Sequence, residues 1–164
     1  MVDSDLKYYL SGGTTNTNQD LSLGGIISTT QVGTSLHGLF NKVTPEEAVD
    51  GGIKYRIIFV KNTHTSETAY DAVLYVSAET TSTSTTIAVA YDSAGSQTIA
   101  DENTAPSNPT LTFTTPLSKA AGVALGDIAP NAIKMICFRR TVTAGATKLA
   151  PDAGQITVIV GSAT

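Results

Sequence analysis

The sequence contains no tryptophan, one cysteine and two histidines, and charged residues make up only 15% of it. A single cysteine excludes an intrachain disulfide, so the fold depends on its hydrophobic core. Cys137 lies inside an apolar segment, and we interpret it as a buried structural thiol. His37 and His64 are far apart and have no cysteine partner nearby, which argues against a structural zinc site.

Positive charge is also scarce, because 10 Lys and Arg residues face 14 Asp and Glu residues and the net charge is −4. Such a chain would repel the phosphate backbone of a nucleic acid, so no nucleic-acid partner is expected. No apolar run approaches the roughly 20 residues needed to cross a bilayer. The first residues lack the basic and apolar regions of a signal peptide. These absences predict a soluble protein that is made in the cytoplasm and has no membrane partner.

Hydroxyl side chains are abundant, with 26 Thr and 14 Ser among 164 residues. Threonine is β-branched and suits a half-buried pleated surface, so this composition favours strands. The length fits one domain with one core.

Apolar residues alternate with polar ones in several short segments separated by turns, and no long helix is indicated. This pattern predicts an all-β fold with two antiparallel sheets packed as a β-sandwich. The predicted strands are Leu6–Leu10, Ile53–Asn62, Tyr70–Glu79, Thr85–Tyr91, Thr110–Thr115, Ile133–Val142 and Gln155–Gly161.

Three of these segments carry more specific predictions. Ile53–Asn62 is apolar on both faces in its second half, so we expect it to be covered on both sides. Tyr70–Glu79 is predicted to be its hairpin partner. Thr110–Thr115 ends at Pro116 and is predicted to be an edge strand. The glycines of Ala120–Leu125 and its flank favour a loop there.

The strand of Ile53–Asn62 and the strand of Ile133–Val142 are the most informative parts of the chain. Ile57, Phe59, Ile136 and Phe138 are predicted core residues. Lys61-Asn62 and Arg139-Arg140 follow at the ends of these strands, with one arginine on each face. We expect these four polar residues to lie at the rim and to be able to meet a partner.

Residues 1–52 show no sustained periodicity and are predicted to form an irregular N-terminal arm, while residues 53–164 form the sandwich domain. Thr44, Pro45 and Glu47 have the spacing of a capping box with proline at the first helical position. A short helix is therefore expected there, ended by Gly51-Gly52. The arm also contains apolar residues, and we hypothesise that part of it lies across a neighbouring subunit.

No group of residues indicates chemistry. The acidic clusters are Asp3/Asp5, Glu46/Glu47 and Asp101-Glu102-Asn103. The last of these could hold calcium, but its spacing matches no ion-binding loop, and solvated turns are the favoured interpretation. Hydroxyl counts do not decide whether a Ser or Thr nucleophile exists, although no segment resembles a nucleophile elbow.

The histidines are interpreted in the same way. His64 is expected in an exposed turn, and His37, between Leu36 and Leu39, is expected to be a packing residue. We therefore predict no catalytic, cofactor-binding or metal-binding residues and no enzyme activity. A glycan-binding or adhesin module is an alternative, for which Tyr8, Tyr9 and Tyr91 are weak stacking candidates.

Five segments together carry a resemblance to a known group. They read KYYLSGG, SLGGIIS, YRIIFVKNT, AVLYVSAET and LGDIAPNAIKMICFRRTVTAGA. The chain resembles tailed-bacteriophage virion structural proteins, whose similar strands and turns frame an immunoglobulin-like or jelly-roll sandwich. Asn131 stands where that pattern has glycine, and asparagine also accepts a positive φ.

The resemblance implies a capsid decoration or cement protein on the surface of the virion. Its expected partners are the major capsid protein and copies of itself, with a trimer favoured. It carries over no catalytic residue and no cofactor. Another virion position, in the neck or tail, is the alternative within the same group.

Overall fold

The computed structural model describes residues 3–147 and 154–159. Eight strands lie within these ranges: β1 (Leu6–Ser11), β2 (Ile27–Gln31), β3 (Gly52–Asn62), β4 (Ala69–Ala78), β5 (Thr85–Asp92), β6 (Val123–Ile128), β7 (Ile133–Val142) and β8 (Gln155–Ile159). One α-helix, α1 (Pro45–Asp50), and short 3-10 turns at Asp3–Asp5, Gln19–Leu21 and Lys119–Ala121 accompany them. None of the helices in this part of the chain is long and apolar enough to cross a membrane.

The strands form two antiparallel sheets. One sheet has five strands in the order β2-β1-β3-β7-β5, and the other has three in the order β6-β4-β8. The prediction of an all-β, two-sheet antiparallel sandwich is confirmed.

β3 and β7 form the centre of the larger sheet and pair from Gly52 opposite Val142 to Lys61 opposite Ile133. Side chains alternate between the two faces of this pair. Ile58 and Ile136 belong to an inner cluster that faces the smaller sheet, where the two sheets pack together. All four predicted core residues are buried.

The opposite face of the larger sheet is also covered. Ile57, Phe59 and Cys137 form an outer cluster there. Loop residues that pack against this cluster include Leu23, Leu111 and Phe113. The prediction that the second half of β3 is covered on both sides is confirmed.

Helix α1 begins as the sequence predicts. The Thr44 hydroxyl accepts a hydrogen bond from the Glu47 backbone N–H, and the Glu47 carboxylate accepts one from the Thr44 backbone N–H. These reciprocal bonds satisfy two backbone donors that the first turn of a helix leaves open. Gly51, with φ of 76°, ends the helix.

The N-terminal segment differs from the expected irregular arm. β1 lies between β2 and β3 inside the larger sheet, with Leu6 opposite Asn62 and Tyr9 opposite Phe59. The strand is anchored because Leu6 and Leu10 are buried. β1 matches the predicted strand Leu6–Leu10, whereas β2 is short and follows an irregular loop, which hides its periodicity in the sequence.

Three strand predictions need correction. β4 pairs with β6 and β8 in the smaller sheet, so it is not the hairpin partner of β3. β6 begins at Val123 and covers the second half of Ala120–Leu125, where a loop was expected, and a bulge opposite β4 accommodates Gly126 at a φ of 67°. Thr110–Thr115 is not a strand, and it contacts the edge strand β5 through an isolated bridge between Thr114 and Val89 and through a hydrogen bond from the Thr115 hydroxyl to the Ile87 carbonyl.

Candidate functional site

The largest group of charged side chains lies on the inner face of the β3–β7 pair, next to α1. Lys54 and Arg56 project from β3, and Arg140 projects from β7 directly opposite Lys54. Like charges in opposed strand positions repel each other, so these cations need anions close by. Arg56 is fully buried and Arg140 is only 4% exposed.

Carboxylates from three distant segments neutralise these cations. The six residues form what we call the ionic cluster: Asp20, Glu47, Lys54, Arg56, Glu102 and Arg140. Three cations face three anions, so the ionic cluster has no net charge.

Glu102 and Asp20 hold the β3 side of the ionic cluster. A terminal nitrogen of Arg56 lies 2.6 Å from a carboxylate oxygen of Asp20 and 2.6 Å from one of Glu102. The other Glu102 oxygen lies 2.8 Å from Nζ of Lys54. The Tyr55 backbone N–H also donates to the Glu102 carbonyl, and this bond holds the loop between β5 and β6 against β3.

Glu47 holds the β7 side. One of its oxygens lies 2.7 Å from a terminal nitrogen of Arg140 and 3.2 Å from Nζ of Lys54. The same carboxylate closes the capping box of α1 by accepting from Thr44. Glu47 therefore ties the start of the helix to both central strands.

The Phe40 ring lies close to both buried guanidinium groups. The centroid of Phe40 lies 5.5 Å from the Arg56 guanidinium and 5.3 Å from that of Arg140, within the range of cation–π attraction. The next residue, Asn41, accepts from Arg140 through its carbonyl and donates 2.6 Å to Asp20. The loop before α1 is thereby attached to the ionic cluster.

The electrostatics of the ionic cluster favour ionised carboxylates. Burial raises the pKa of Glu47, but the hydrogen bond from Thr44 and the charges of Arg140 and Lys54 outweigh it, and the net pKa is lowered. Burial likewise raises the pKa of Glu102, and the bonds and charges of Lys54 and Arg56 lower it overall. A general acid at neutral pH needs a raised pKa, so the lowered pKa values of Glu47 and Glu102 do not suit that role.

The acidic turn at Asp101-Glu102-Asn103 is divided between two roles. The Asp101 carboxylate accepts from the Asn103 backbone N–H at 2.8 Å and from the Thr104 hydroxyl at 3.1 Å, which organises an exposed turn. Glu102 belongs to the ionic cluster. Among residues 3–147 and 154–159, no three His, Cys, Asp or Glu side chains come together in a group that could hold a metal ion.

The two histidines have local roles. Nδ1 of His64 accepts from the backbone N–H groups of Ser66 and Glu67, at 3.2 and 2.9 Å, and so closes the turn after β3. His37 is exposed and has a φ of 68°, so the prediction that it is a packing residue is wrong. Its backbone is constrained instead, because its carbonyl accepts from the Gln19 side chain.

Cys137 is fully buried in β7, which confirms the interpretation as a structural thiol. Burial raises the pKa of its thiol, and the negative charge of Asp92 raises it further. The thiolate, which is the nucleophilic form, is therefore strongly disfavoured.

The tyrosines considered for sugar stacking lie on strands rather than on exposed loops. Tyr8 packs against the inner cluster. Tyr9 lines a surface depression of about 360 Å³ together with Lys61 and hydroxyl residues. Tyr91 lines another of about 280 Å³, and Nζ of Lys134 lies 5.7 Å from its ring centroid.

The four predicted rim residues separate into two groups. Asn62 and Arg140 are buried, so the prediction that they can meet a partner is wrong for these two. Lys61 and Arg139 are half-buried. The prediction of one arginine on each face is confirmed, because Arg140 packs on Phe40 and Arg139 packs on Phe113.

Sequence reasoning missed the ionic cluster as a unit. Lys54 and Arg56 interrupt an apolar strand in a chain with few charges, and that signal indicates buried ion pairs. Their partners Asp20, Glu47 and Glu102 are far away in sequence, and nothing local marks them.

Comparison of the chain with protein-family models, with curated proteins and with solved structures finds no significant match.

Proposed function

We propose that this protein is a non-enzymatic structural component of a tailed-bacteriophage particle. In this proposal it decorates the capsid surface, binds the lattice of the major capsid protein and stabilises that lattice. Copies of the chain associate with one another, with a trimer favoured.

The resemblance to virion structural proteins supports the assignment to a phage particle. Its two most informative segments, Ile53–Thr63 and Leu125–Ala146, contain β3 and β7, which pair along their length. The resemblance therefore concerns the centre of the larger sheet. It supports a shared scaffold and carries no reactive residue.

The observation that carries a binding role rather than a catalytic one is the internal neutralisation of the ionic cluster. Glu47 and Glu102 have lowered pKa values, and together with Asp20 they form ion pairs with cations inside the fold. The described residues expose many hydroxyls, charged side chains such as Glu46 and Asp101, and a set of apolar residues, which are Leu21, Ile26, Leu36, Val49, Ile53, Tyr70, Leu117 and Ile133.

A surface of this kind suits assembly. Single exposed apolar residues are common on protein surfaces, and each offers a small area of contact to a partner. Symmetric repetition of weak, partly hydrated contacts raises the free energy needed to separate subunits. A decoration protein stabilises a shell in this way without forming any single strong bond.

Particle binding and particle stability test the proposal separately. Purified protein is mixed with particles that lack it, and bound copies are counted after sedimentation. Hundreds of copies per particle are expected for shell decoration, whereas a dozen or fewer would assign the protein to the neck or tail. Decorated particles should also release their genome at a higher temperature than bare particles, and equal temperatures would contradict the stabilising role.

The hypothesis of an N-terminal arm across a neighbouring subunit needs a revised test. Deleting residues 1–20 would remove β1 from inside the larger sheet and destroy the fold. Substituting the exposed Leu21 or Ile26 by serine leaves the strands intact. Loss of particle binding by these variants would support contacts from the arm, and unchanged binding would contradict them.

A glycan-binding role is the second candidate, and Tyr9 is the residue that favours it. Its ring lies in a depression with Thr14, Thr29 and Lys61, whose polar groups could bond to a sugar. Binding to an oligosaccharide array that is lost in Tyr9→Ala but kept in Tyr70→Ala would favour this role. Absence of binding by the wild-type protein would remove it.

A further inference from the structure

Arg139 differs from the other two arginines of the chain. Nε of all three is buried without a hydrogen-bond partner. The terminal nitrogens of Arg56 and Arg140, however, bind carboxylates. Within residues 3–147 and 154–159, Arg139 forms neither an ion pair nor a hydrogen bond through its terminal nitrogens, and these are not among the buried atoms without a partner.

Aromatic rings hold the Arg139 guanidinium in place on the outer face of the larger sheet. The guanidinium lies 5.3 Å from the centroid of the Phe113 ring. Phe113 in turn meets Tyr55 edge to face, with centroids 5.6 Å apart and planes at 60°. Tyr55 is the direct strand partner of Arg139. Stacking restrains a guanidinium and leaves the donors along its edge available, which prepares it for a planar acceptor.

The strand residues in the row next to Arg139 are exposed or partly exposed. Ile53 and Thr86 flank Thr141 in the neighbouring row of the sheet, on the same face. Ile53 is 45% exposed, Thr86 is exposed and Thr141 is half-buried. We call this row, together with Arg139 and Phe113, the Arg139 surface.

We propose that the Arg139 surface binds an extended acidic segment of a partner protein, with a Glu or Asp carboxylate of that segment accepting hydrogen bonds from the Arg139 guanidinium. This inference rests on the proposed binding role and identifies where the contact is made. A carboxylate matches the guanidinium edge in shape and charge. Arginine is one of the residue types enriched at the energetic centres of interfaces, and the exposed Ile53 adds apolar area beside it.

The small number of cations on the Arg139 surface also argues against a polyanionic partner. A nucleic acid or an anionic membrane needs many cations on one face. The Arg139 surface offers a single unpaired guanidinium in a chain whose net charge is −4. One carboxylate beside an apolar contact fits this arrangement.

The test compares Arg139→Gln, Arg139→Lys and Lys42→Gln. Lys42 is exposed and lies in the loop before α1, so Lys42→Gln makes the same charge change elsewhere. Binding to particles is measured by sedimentation, and urea unfolding shows that each variant is folded. Arg139→Gln should weaken binding per site by about 10- to 100-fold, because removing one partner of a desolvated charge pair has effects of this order. Arg139→Lys should recover only part of the loss, and Lys42→Gln should bind like the wild-type protein.

A peptide probe separates this inference from the proposed function. The probe is a labelled dodecapeptide of alternating Glu and Thr, and its control has Gln in place of Glu. The wild-type protein should prefer the Glu peptide, and Arg139→Gln should lose that preference. If the wild-type protein does not bind particles but shows this preference, the capsid role fails and the Arg139 surface stands.

Two results would overturn the inference. Equal particle binding by wild type and Arg139→Gln would leave the capsid role intact and remove Arg139 from the interface. Self-association of the wild-type protein that Arg139→Gln abolishes, seen by sedimentation velocity, would show that the occupant is a second copy of this chain.

Discussion

At the scale of single residues, Glu47 links more elements of the fold than the capping-box pattern in its sequence indicates. Its carboxylate caps α1, pairs with Arg140 and pairs with Lys54. Its neighbour Glu46 has the same charge on the same helix but is exposed and forms no ion pair with a described residue. Substituting each residue in turn therefore separates the effect of the ion pairs on stability from the effect of a charge on the helix.

We expect Glu47→Gln to lower the free energy of unfolding by about 1–3 kcal/mol, because it leaves the nearly buried Arg140 without its counter-ion. Glutamine retains an oxygen that can close the capping box, so the loss reports mainly the ion pairs. Urea unfolding measures it. Glu46→Gln should change stability by less than about 0.5 kcal/mol. Equal effects of the two substitutions would contradict the role given to Glu47.

Cys137 provides a second prediction for a single residue. Because burial raises the pKa of its thiol, the folded protein should not react with a thiol reagent such as 5,5′-dithiobis(2-nitrobenzoate) in mildly alkaline buffer. Unfolding in urea should expose one reactive thiol per chain. Fast reaction of the folded protein would show that β7 opens locally or that the thiol is accessible.

At the scale of elements, a buried asparagine stabilises the turn after β3, where the chain passes from the larger to the smaller sheet. Asn62 is buried at the end of β3 and donates to the carbonyls of Glu67 and Ile128, at 2.8 and 2.9 Å. Its side-chain oxygen accepts from the His64 backbone N–H at 2.9 Å. One amide thereby joins β3, the turn and the end of β6.

We expect Asn62→Ala to destabilise the protein by about 2–4 kcal/mol, since it removes these bonds and leaves a buried carbonyl without a donor. Asn103→Ala, in an exposed turn, is the matched control and should be nearly neutral. Thermal unfolding followed by circular dichroism measures both. Similar midpoints for the two variants would contradict the stabilising role given to Asn62.

The sequence predicted elements whose signals are local. β3 and β7 follow from alternation, and α1 follows from Thr44, Pro45 and Glu47. The prediction of β4 as a hairpin partner failed because strand pairing depends on the path between sheets, and Asn62 looks like an ordinary turn residue in sequence. β6 was missed because glycine was interpreted as a loop signal, although a bulge accommodates it.

The candidate sites were less predictable than the strands. Nothing in the local sequence separates Arg139 from Arg140, yet one packs on Phe113 and the other binds Glu47. The difference arises because alternate residues of β7 face different layers, each covered by a distant segment. Contacts between residues so far apart in sequence can be identified only when the folded structure is known.

At the scale of the whole molecule, stability is linked to pH through carboxylates that join distant segments. Glu47 and Glu102 have pKa values below their ordinary value of 4.5 in the folded protein. The unfolded chain therefore binds protons more readily than the folded chain in the acid range. The stability that these groups contribute is complete above the unfolded pKa and is lost as the pH falls through the folded pKa.

We expect the free energy of unfolding to be nearly constant from neutral pH down to the unfolded pKa of Glu and to fall below it. The double variant Glu47→Gln/Glu102→Gln should be less stable at neutral pH and should lose less stability on acidification, because its two sites no longer take up protons. Urea titrations across the acid range measure both slopes, with Glu46→Gln as a control that keeps the wild-type slope. Parallel curves for the wild type and the double variant would show that the ionic cluster does not set the acid sensitivity of the fold. A smaller slope in the double variant would show that the ion pairs joining α1 and the loop after β5 to β3 and β7 also contribute to the pH range in which the sandwich is stable.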